Sequence, residues 1–353
     1  MSKIYNIYGN DAFTMTLELL KAANAISLVS NNNKTVALKP NLVVAGKPEN
    51  GATTHAEILS ACIEYFRAND IQNISVIEGS WVGDETMRAM KRAGYDLVCE
   101  KYNVPFFDLK RDKVRSVKTQ IGNISICERA LNAGLLVNLP VLKGHCQTVM
   151  TCALKNLKGC LPDNEKRHFH SLGLTKPIAA LGAVMRPRLN IVDSICGDLS
   201  FEEGGNPIFT NRMFLGFDPV QIDAYGCNLM GLDLNQVPYI KLAQDYGAGD
   251  INFSNDDIVN LNAPENSSTY PRPSGTVKNL TRNVIENSAC SACYASLVRA
   301  LHVNSRGRNL KICIGQGWRG KNFDGLGIGN CCKGAAKNVP GCPPTANEIA
   351  KAF

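Results

Sequence analysis

Aromatic residues make up only 7% of this 353-residue chain, and just two of them are tryptophan. No aromatic stacking module accompanies the basic residues, which argues against a nucleic-acid partner. Long apolar runs are missing and neither end carries a secretory h-region, so a cytoplasmic protein with no membrane partner is expected. The net charge of +7 is small for the length, and 44% hydrophobic with 20% charged residues is an ordinary globular composition. No internal repeat appears, and the length exceeds one typical core, so two domains are expected. One local absence says more. From Lys143 to Lys158 there is no acidic residue, although Lys143, Lys155 and Lys158 all fall there. A solvated helix face usually mixes signs, so this run suggests a pocket for a small anion carrying phosphate or carboxylate.

The surrounding sequence gives that run a place in a fold. Leu135, Leu136, Val137 and Leu139 form an apolar strand ended by Pro140. Gln147 to Leu161 is then expected to be helical, with Thr148, Thr151, Cys152, Lys155 and Lys158 on one side and Val149, Met150, Ala153, Leu154 and Leu157 on the other. His168-Phe-His170, if extended, alternates in direction, so only one of the two histidines can face the pocket. In open α/β sheets, ligands bind at the carboxyl ends of strands, beside helix N-termini that attract anions.

Other segments repeat the strand-then-helix pattern. Thr35 to Lys39 is a strand presenting Lys39 and Asn41 at its end, and Thr53-Thr54 is positioned to cap a helix from His55 to Asn69, with His55 on the surface. Ile74 to Ser80 is a strand ending in Glu78, which either serves the site or caps the helix Glu85 to Ala93. Val114 to Cys127 suggests a hairpin turning at Gly122-Asn123. Leu189 to Asp193 ends in an acid that suits cation or proton chemistry or an Asx turn, before a loop containing Glu202, Glu203, Gly204 and Gly205. Asp218 precedes Pro219 as an N-cap. The whole reads as α/β: a mainly parallel sheet flanked by helices over residues 1–262, a polar linker or wrapping segment over 263–283, and a small cysteine-rich iron–sulfur domain over 284–353.

That last assignment rests on cysteine. Eight of the fourteen are scattered between Cys62 and Cys227, where a buried thiol needs no function, but six crowd between Cys290 and Cys342. Without a signal peptide, such density favours metal or cluster ligation over disulfides. Cys290-Ser-Ala-Cys293 opens a helix, glycines precede Cys331 and Cys342, and proline follows Cys342, a pattern suited to a [4Fe-4S] cluster held by Cys290, Cys293, Cys331 and Cys342, with Cys332 and Cys313 in reserve. A four-cysteine zinc site usually pairs two Cys-x-x-Cys units, and the second is absent. Gly315-Gln-Gly-Trp-Arg-Gly320 lacks the following apolar helix of a dinucleotide fold and reads as a loop whose Arg319 and Lys321 can hold an anion or a partner.

The series Lys39-Pro-Asn41, Lys143-Gly-His145, Thr151-Cys-Ala-Leu-Lys155-Asn156-Leu-Lys158-Gly159 with Lys166 and His168, Ile191-Val-Asp193 with Gly204-Gly205, and Asp218-Pro-Val-Gln-Ile-Asp223 resembles the DUF362 family of uncharacterised iron–sulfur proteins over roughly residues 35–250. The chain departs from the family pattern at Thr54-His55, where threonine–proline is expected, and at Cys160. A remote similarity to nickel-dependent lactate racemase accompanies it. Strand-end position and resemblance together nominate Lys143, His145, Lys155 and Asp193 as catalytic, and Lys39, Asn41, Thr54, Thr148, Thr151, Asn156, Lys158, Lys166 and His168 as ligand-binding. The reading is an iron–sulfur oxidoreductase or electron-transfer protein with a redox partner protein, expected to form a homodimer, and with a second cofactor such as a flavin left open. The alternatives are a metal-dependent isomerase or racemase of a small hydroxy acid with a structural cluster, and an electron-carrier or assembly protein without substrate chemistry.

Overall fold

The computed structural model describes residues 2–198, 207–263 and 276–353. The loop with Glu202, Glu203, Gly204 and Gly205 lies outside the described residues, as does most of the expected linker. In chain order the strands are β1 (Ile4–Tyr8), β2 (Thr35–Pro40), β3 (Asn73–Glu78), β4 (Phe106–Asp108), β5 (Val114–Thr119), β6 (Gly122–Cys127), β7 (Leu135–Leu139), β8 (Lys143–His145), β9 (Val149–Thr151), β10 (Leu189–Asp198), β11 (Pro207–Gly216) and β12 (Ile258–Asn260). Eight of them form one sheet in the order β12-β1-β11-β10-β7-β2-β3-β4. Its pairings are parallel except where β11 meets β1 and β10. The fold is therefore α/β with a mainly parallel sheet.

Helices cover both faces, and the strands show it in their composition. Leu135, Val137 and Leu139 of β7 enter one core while Leu136 enters the other, so a strand buried on both sides reads as an apolar run, interrupted in β7 only by Asn138. β10 runs past Asp193 to Asp198, longer than its sequence suggests, because β11 pairs along it and a bulge between Ser194 and Cys196 absorbs the mismatch. The hairpin β5–β6 turns at Gln120-Ile121, two residues before the expected position, with the Thr119 hydroxyl donating to the Gly122 carbonyl. Asp218 caps the helix Pro219–Leu229 by accepting from the N–H groups of Val220 and Gln221, as expected.

Two expected helix features are corrected. The helix Ala56–Ala68 starts at His55 without a side-chain cap. Thr54 instead accepts from the Asn41 N–H at 2.8 Å and donates to the Leu139 carbonyl at 2.7 Å, tying the ends of β2 and β7 together. The expected helix Gln147 to Leu161 is a hairpin, β8–β9, followed by two short turns, Ala153–Asn156 and Leu157–Cys160. Asp223 explains the late start: its buried carboxylate accepts the Ala153 N–H at 2.6 Å and the Leu154 N–H at 3.3 Å, so helical turns begin there rather than six residues earlier.

The tail forms its own sheet, β13 (Val284–Glu286), β14 (Ile312–Ile314), β15 (Phe323–Ile328) and β16 (Ala335–Val339), parallel and in sequence order. The helix Ser291–Val303 packs Leu297, Val298 and Leu301 against Ile312, Ile314 and Ile328. Polar contacts dock this unit on the larger one, among them three through glutamine side chains. The Ser291 hydroxyl donates to Gln147 Oε1 at 2.9 Å, Gln147 Nε2 donates to the Ala289 carbonyl at 2.9 Å, and Gln316 Nε2 donates to the Arg167 carbonyl at 2.9 Å.

Candidate functional site

Strand β2 ends in Lys39-Pro40-Asn41 and β3 ends in Glu78-Gly79, so both deliver polar groups to the same edge of the sheet. A cleft of about 610 Å³, counted to its solvent mouth, opens there. Asn41, Glu78, Thr151, Lys155, Asn156, Lys158, Lys166 and His170 line it, with Cys290 and Ser291 of the tail closing one side. An asparagine chain fixes its floor: Asn41 Nδ2 donates to Asn156 Oδ1 at 2.9 Å, Asn156 Nδ2 to Asn138 Oδ1 at 2.8 Å, and Asn138 Nδ2 to the Ala153 carbonyl at 3.0 Å.

Charge is held unevenly in this space. Lys39 is fully buried and its Nζ lies 2.6 Å from Glu78 Oε2, with the Pro40 carbonyl at 3.2 Å. Burial drives the Glu78 carboxyl upward, and the Lys39 charge and hydrogen bond pull it back. Lys166 donates to the carbonyls of Gly79 and Ser80 at 2.9 and 2.8 Å. Burial pulls it down to about 8 despite Asp163 and Glu78 nearby. Gly159 is there because nothing larger fits: a Cβ on it would lie 1.8 Å from Glu78 Oε1 and 2.7 Å from Lys39 Nζ.

Several nominated residues stand apart from the cleft. Lys143 is buried with Nζ donating to the Ala52 carbonyl at 2.6 Å. His145 is buried with Nδ1 accepting from the N–H groups of Gln147 and Thr148, and the Thr148 hydroxyl donates to the Met150 carbonyl. Lys143 and His145 do not line the cleft that Lys155 lines. His168 and His170 lie on a helix, Asp163–Ser171, and not on an extended segment. His168 is half-exposed beside Glu165, whereas His170 enters the cleft, where its Nε2 accepts from Lys158 Nζ at 3.2 Å and from the Ser291 N–H at 3.4 Å.

Asp193 also lies elsewhere, in the middle of β10. Its Oδ2 accepts both the backbone N–H and Nδ1 of His55, at 2.9 and 2.7 Å, and its Oδ1 accepts the Ile195 N–H at 3.2 Å. His55 is largely buried, which corrects its expected surface position. Burial pulls the imidazole down, but the charge and hydrogen bond of Asp193, helped by Glu57 and Glu49, carry it up to about 9. His55 and Asp193 thus form a hydrogen-bonded pair that holds the imidazole toward its charged form.

A second, smaller cavity of about 350 Å³ lies in the tail. Cys290, the N-cap residue of its helix, lines it together with Cys293, Cys331 and Cys342, along with Arg167, Gln316, Arg319 and three glycines, Gly315, Gly329 and Gly341. Gly329 takes φ +86 with ψ 168, a positive-φ conformation that glycine alone adopts readily, and leads the chain into Cys331. Asn330 ties the two cysteine loops, donating its N–H to the Gly341 carbonyl at 2.9 Å and accepting the Gly341 N–H on its side chain at 3.0 Å. The Arg319 Nε donates to Cys331 Sγ at 3.3 Å. Burial pushes the Cys290 thiol up to about 11, and the neighbouring Cys331 and Cys342 add to this while Lys158 and Arg167 oppose it. Cys332 and Cys313 are fully buried in the tail's interior and do not line this space.

Cys290 borders both spaces. Sequence reasoning missed that shared wall, along with His170 and Ser291. The Pro162-Asp163 start and the acids of the first turn were an available sign of the helix that carries His170.

Comparison with known proteins bears on the larger sheet. No helix among the described residues is long and apolar enough to cross a membrane. A relative called thylakoid-associated protein sll1697, from Synechocystis sp., is 23% identical over 211 residues, covering 57% of this chain and 63% of that protein. The match thus spans less than two thirds of the relative's length. Among solved structures, the lactate racemase apoprotein from Thermoanaerobacterium thermosaccharolyticum aligns at 15% identity over 64% of this chain and 56% of its own, with a TM-score of 0.44. The family described as "Domain of unknown function (DUF362)" matches residues 36–228. That stretch carries β2 through β11 and most of the cleft and exceeds half the sequence, so the chain belongs to the DUF362 family.

Proposed function

We propose that the chain is an iron–sulfur oxidoreductase or electron-transfer protein acting on an anion bound in the cleft. One observation carries this reading: Cys290 is a wall of the cleft and of the four-cysteine cavity at once. The four thiols suit a [4Fe-4S] cluster. Among the described residues no group of three or more His, Cys, Asp or Glu side chains is drawn together to hold a single metal ion. The four thiols line one cavity, and a cluster of this type gives each thiolate its own iron. Bound there by Cys290, Cys293, Cys331 and Cys342, a cluster would supply electrons one at a time.

The chain's own residues supply the rest. Lys155 and Lys158 attract the anion, and Lys158 is steadied by His170, which also accepts from the first N–H of the Cys290 helix. Ligand position and thiol position are thereby linked through one imidazole. Cys342 is exposed, which leaves the cavity's outer side open to a redox partner protein while Cys290 faces the ligand. Charge-assisted contacts are worth about 1.5–3 kcal/mol each. Lys155→Ala is therefore expected to weaken inorganic phosphate or acetate binding about tenfold at fixed ionic strength, measured by calorimetry. Equal affinity in the variant would contradict an anion site.

A further inference from the structure

The cleft has two walls of unlike chemistry. Lys155, Lys158 and Lys166 form one, and Leu42, Val43, Trp81 and Val82 form the other, from the segments that leave β2 and β3. The apolar wall is held in place. The Trp81 N–H donates to the Val43 carbonyl at 3.1 Å, and the Trp81 carbonyl accepts from Lys110 Nζ at 2.8 Å. Lys166 secures its base through the Gly79 and Ser80 carbonyls. Leu42 and Val82 are 1% and 7% exposed, whereas Trp81 is only half-buried and is one of two tryptophans in the chain.

A bare phosphate or acetate would meet the lysines and leave the opposite wall in water. The enclosed part of the cleft measures only about 80 Å³, below the ~300–1,000 Å³ of sites that enclose drug-sized ligands, so the occupant is small and reaches toward the mouth. Ligand sites are mostly apolar with a few placed polar groups, and an aromatic side chain gains most from a flat partner. Glu78 shares the cleft but is paired with Lys39 at 2.6 Å, so the positive charge left for a ligand lies on the lysine wall alone. From these features we infer that the occupant carries one oxyanion head, carboxylate or phosphate, on an aromatic body that lies against Trp81. This rests on the anion reading above and narrows it to a substrate class.

Four probes test it: acetate, benzoate, inorganic phosphate and phenyl phosphate, titrated calorimetrically against the full chain. Burial of a phenyl group should make benzoate bind about tenfold tighter than acetate, and phenyl phosphate tighter than phosphate by a similar factor. The better of the two aromatic probes identifies the head. In Trp81→Ala and Trp81→Leu the gain within each pair is expected to fall several-fold. In a Trp318→Phe background Trp81 is the remaining tryptophan, and benzoate should quench its fluorescence whereas acetate should not. Plain and aromatic anions of equal affinity in the native chain, or an aromatic gain that survives both Trp81 variants, would overturn the inference while leaving the anion site intact. If none of the four binds, the anion reading falls and this inference with it.

Discussion

Serine in place of Cys290, Cys293, Cys331 or Cys342 is expected to cost nearly all bound iron, from about four iron and four sulfide per chain in protein purified without air. Each of these residues lines the tail cavity, and removing one thiolate leaves an iron without its protein ligand. Cys332→Ser provides the internal control. Its side chain lies beside Gly327 and Ala335 in the tail's interior, away from the cavity, so this variant should keep its iron and lose only a little stability. Adjacent residues are thus expected to differ sharply. Full iron in Cys331→Ser together with loss in Cys332→Ser would move the ligand assignment by one residue.

The second large effect is expected at Lys39 and Glu78. Both are almost fully buried and paired at 2.6 Å. Replacing Lys39 by methionine strands a carboxylate in the interior, and breaking a buried pair in this way costs about 3–5 kcal/mol. Urea unfolding of Lys39→Met should show that loss. The double variant Lys39→Met with Glu78→Leu should recover most of it, because a well-packed apolar pair can replace a buried ionic one. Gly159→Ala should resemble the single variant, since its Cβ would occupy the space of Glu78 Oε1 and Lys39 Nζ. Single and double variants of equal stability would show that the pair is not coupled.

What the sequence reveals and what it hides follow from how far apart the deciding residues lie. β7 is legible because five consecutive buried positions need no partner to be recognised. Lys39, Asn41 and Glu78 are legible as strand ends, and Asp218 is legible as a cap because Pro219 follows it. The Gln147 to Leu161 helix fails because its apolar spacing fits a helical period by coincidence. The residue that decides where turns begin is Asp223, 70 positions from Ala153. His55 is misplaced for the same reason, since Asp193 lies 138 positions away. Thr54, expected to cap a helix, acts instead between β2 and β7, and only the sheet order makes them neighbours. In the tail, local spacing marked the four cysteines that line the cavity, but the placement of Cys290 beside Lys158 and His170 depends on docking between two units.

That placement is tested most directly by the midpoint potential of the bound cluster, measured anaerobically with and without saturating inorganic phosphate. An anion beside Cys290 favours the more positive, oxidised cluster, so phosphate should lower the potential. By reciprocal linkage, a tenfold preference for the oxidised state corresponds to about 59 mV for a one-electron couple, and a shift of roughly half that or more is expected. Lys155→Ala should abolish it at the same phosphate concentration. A reversible potential that does not move when phosphate demonstrably occupies the cleft would contradict electron delivery to the bound anion, and stoichiometric zinc without sulfide in protein never exposed to air would contradict the cluster itself.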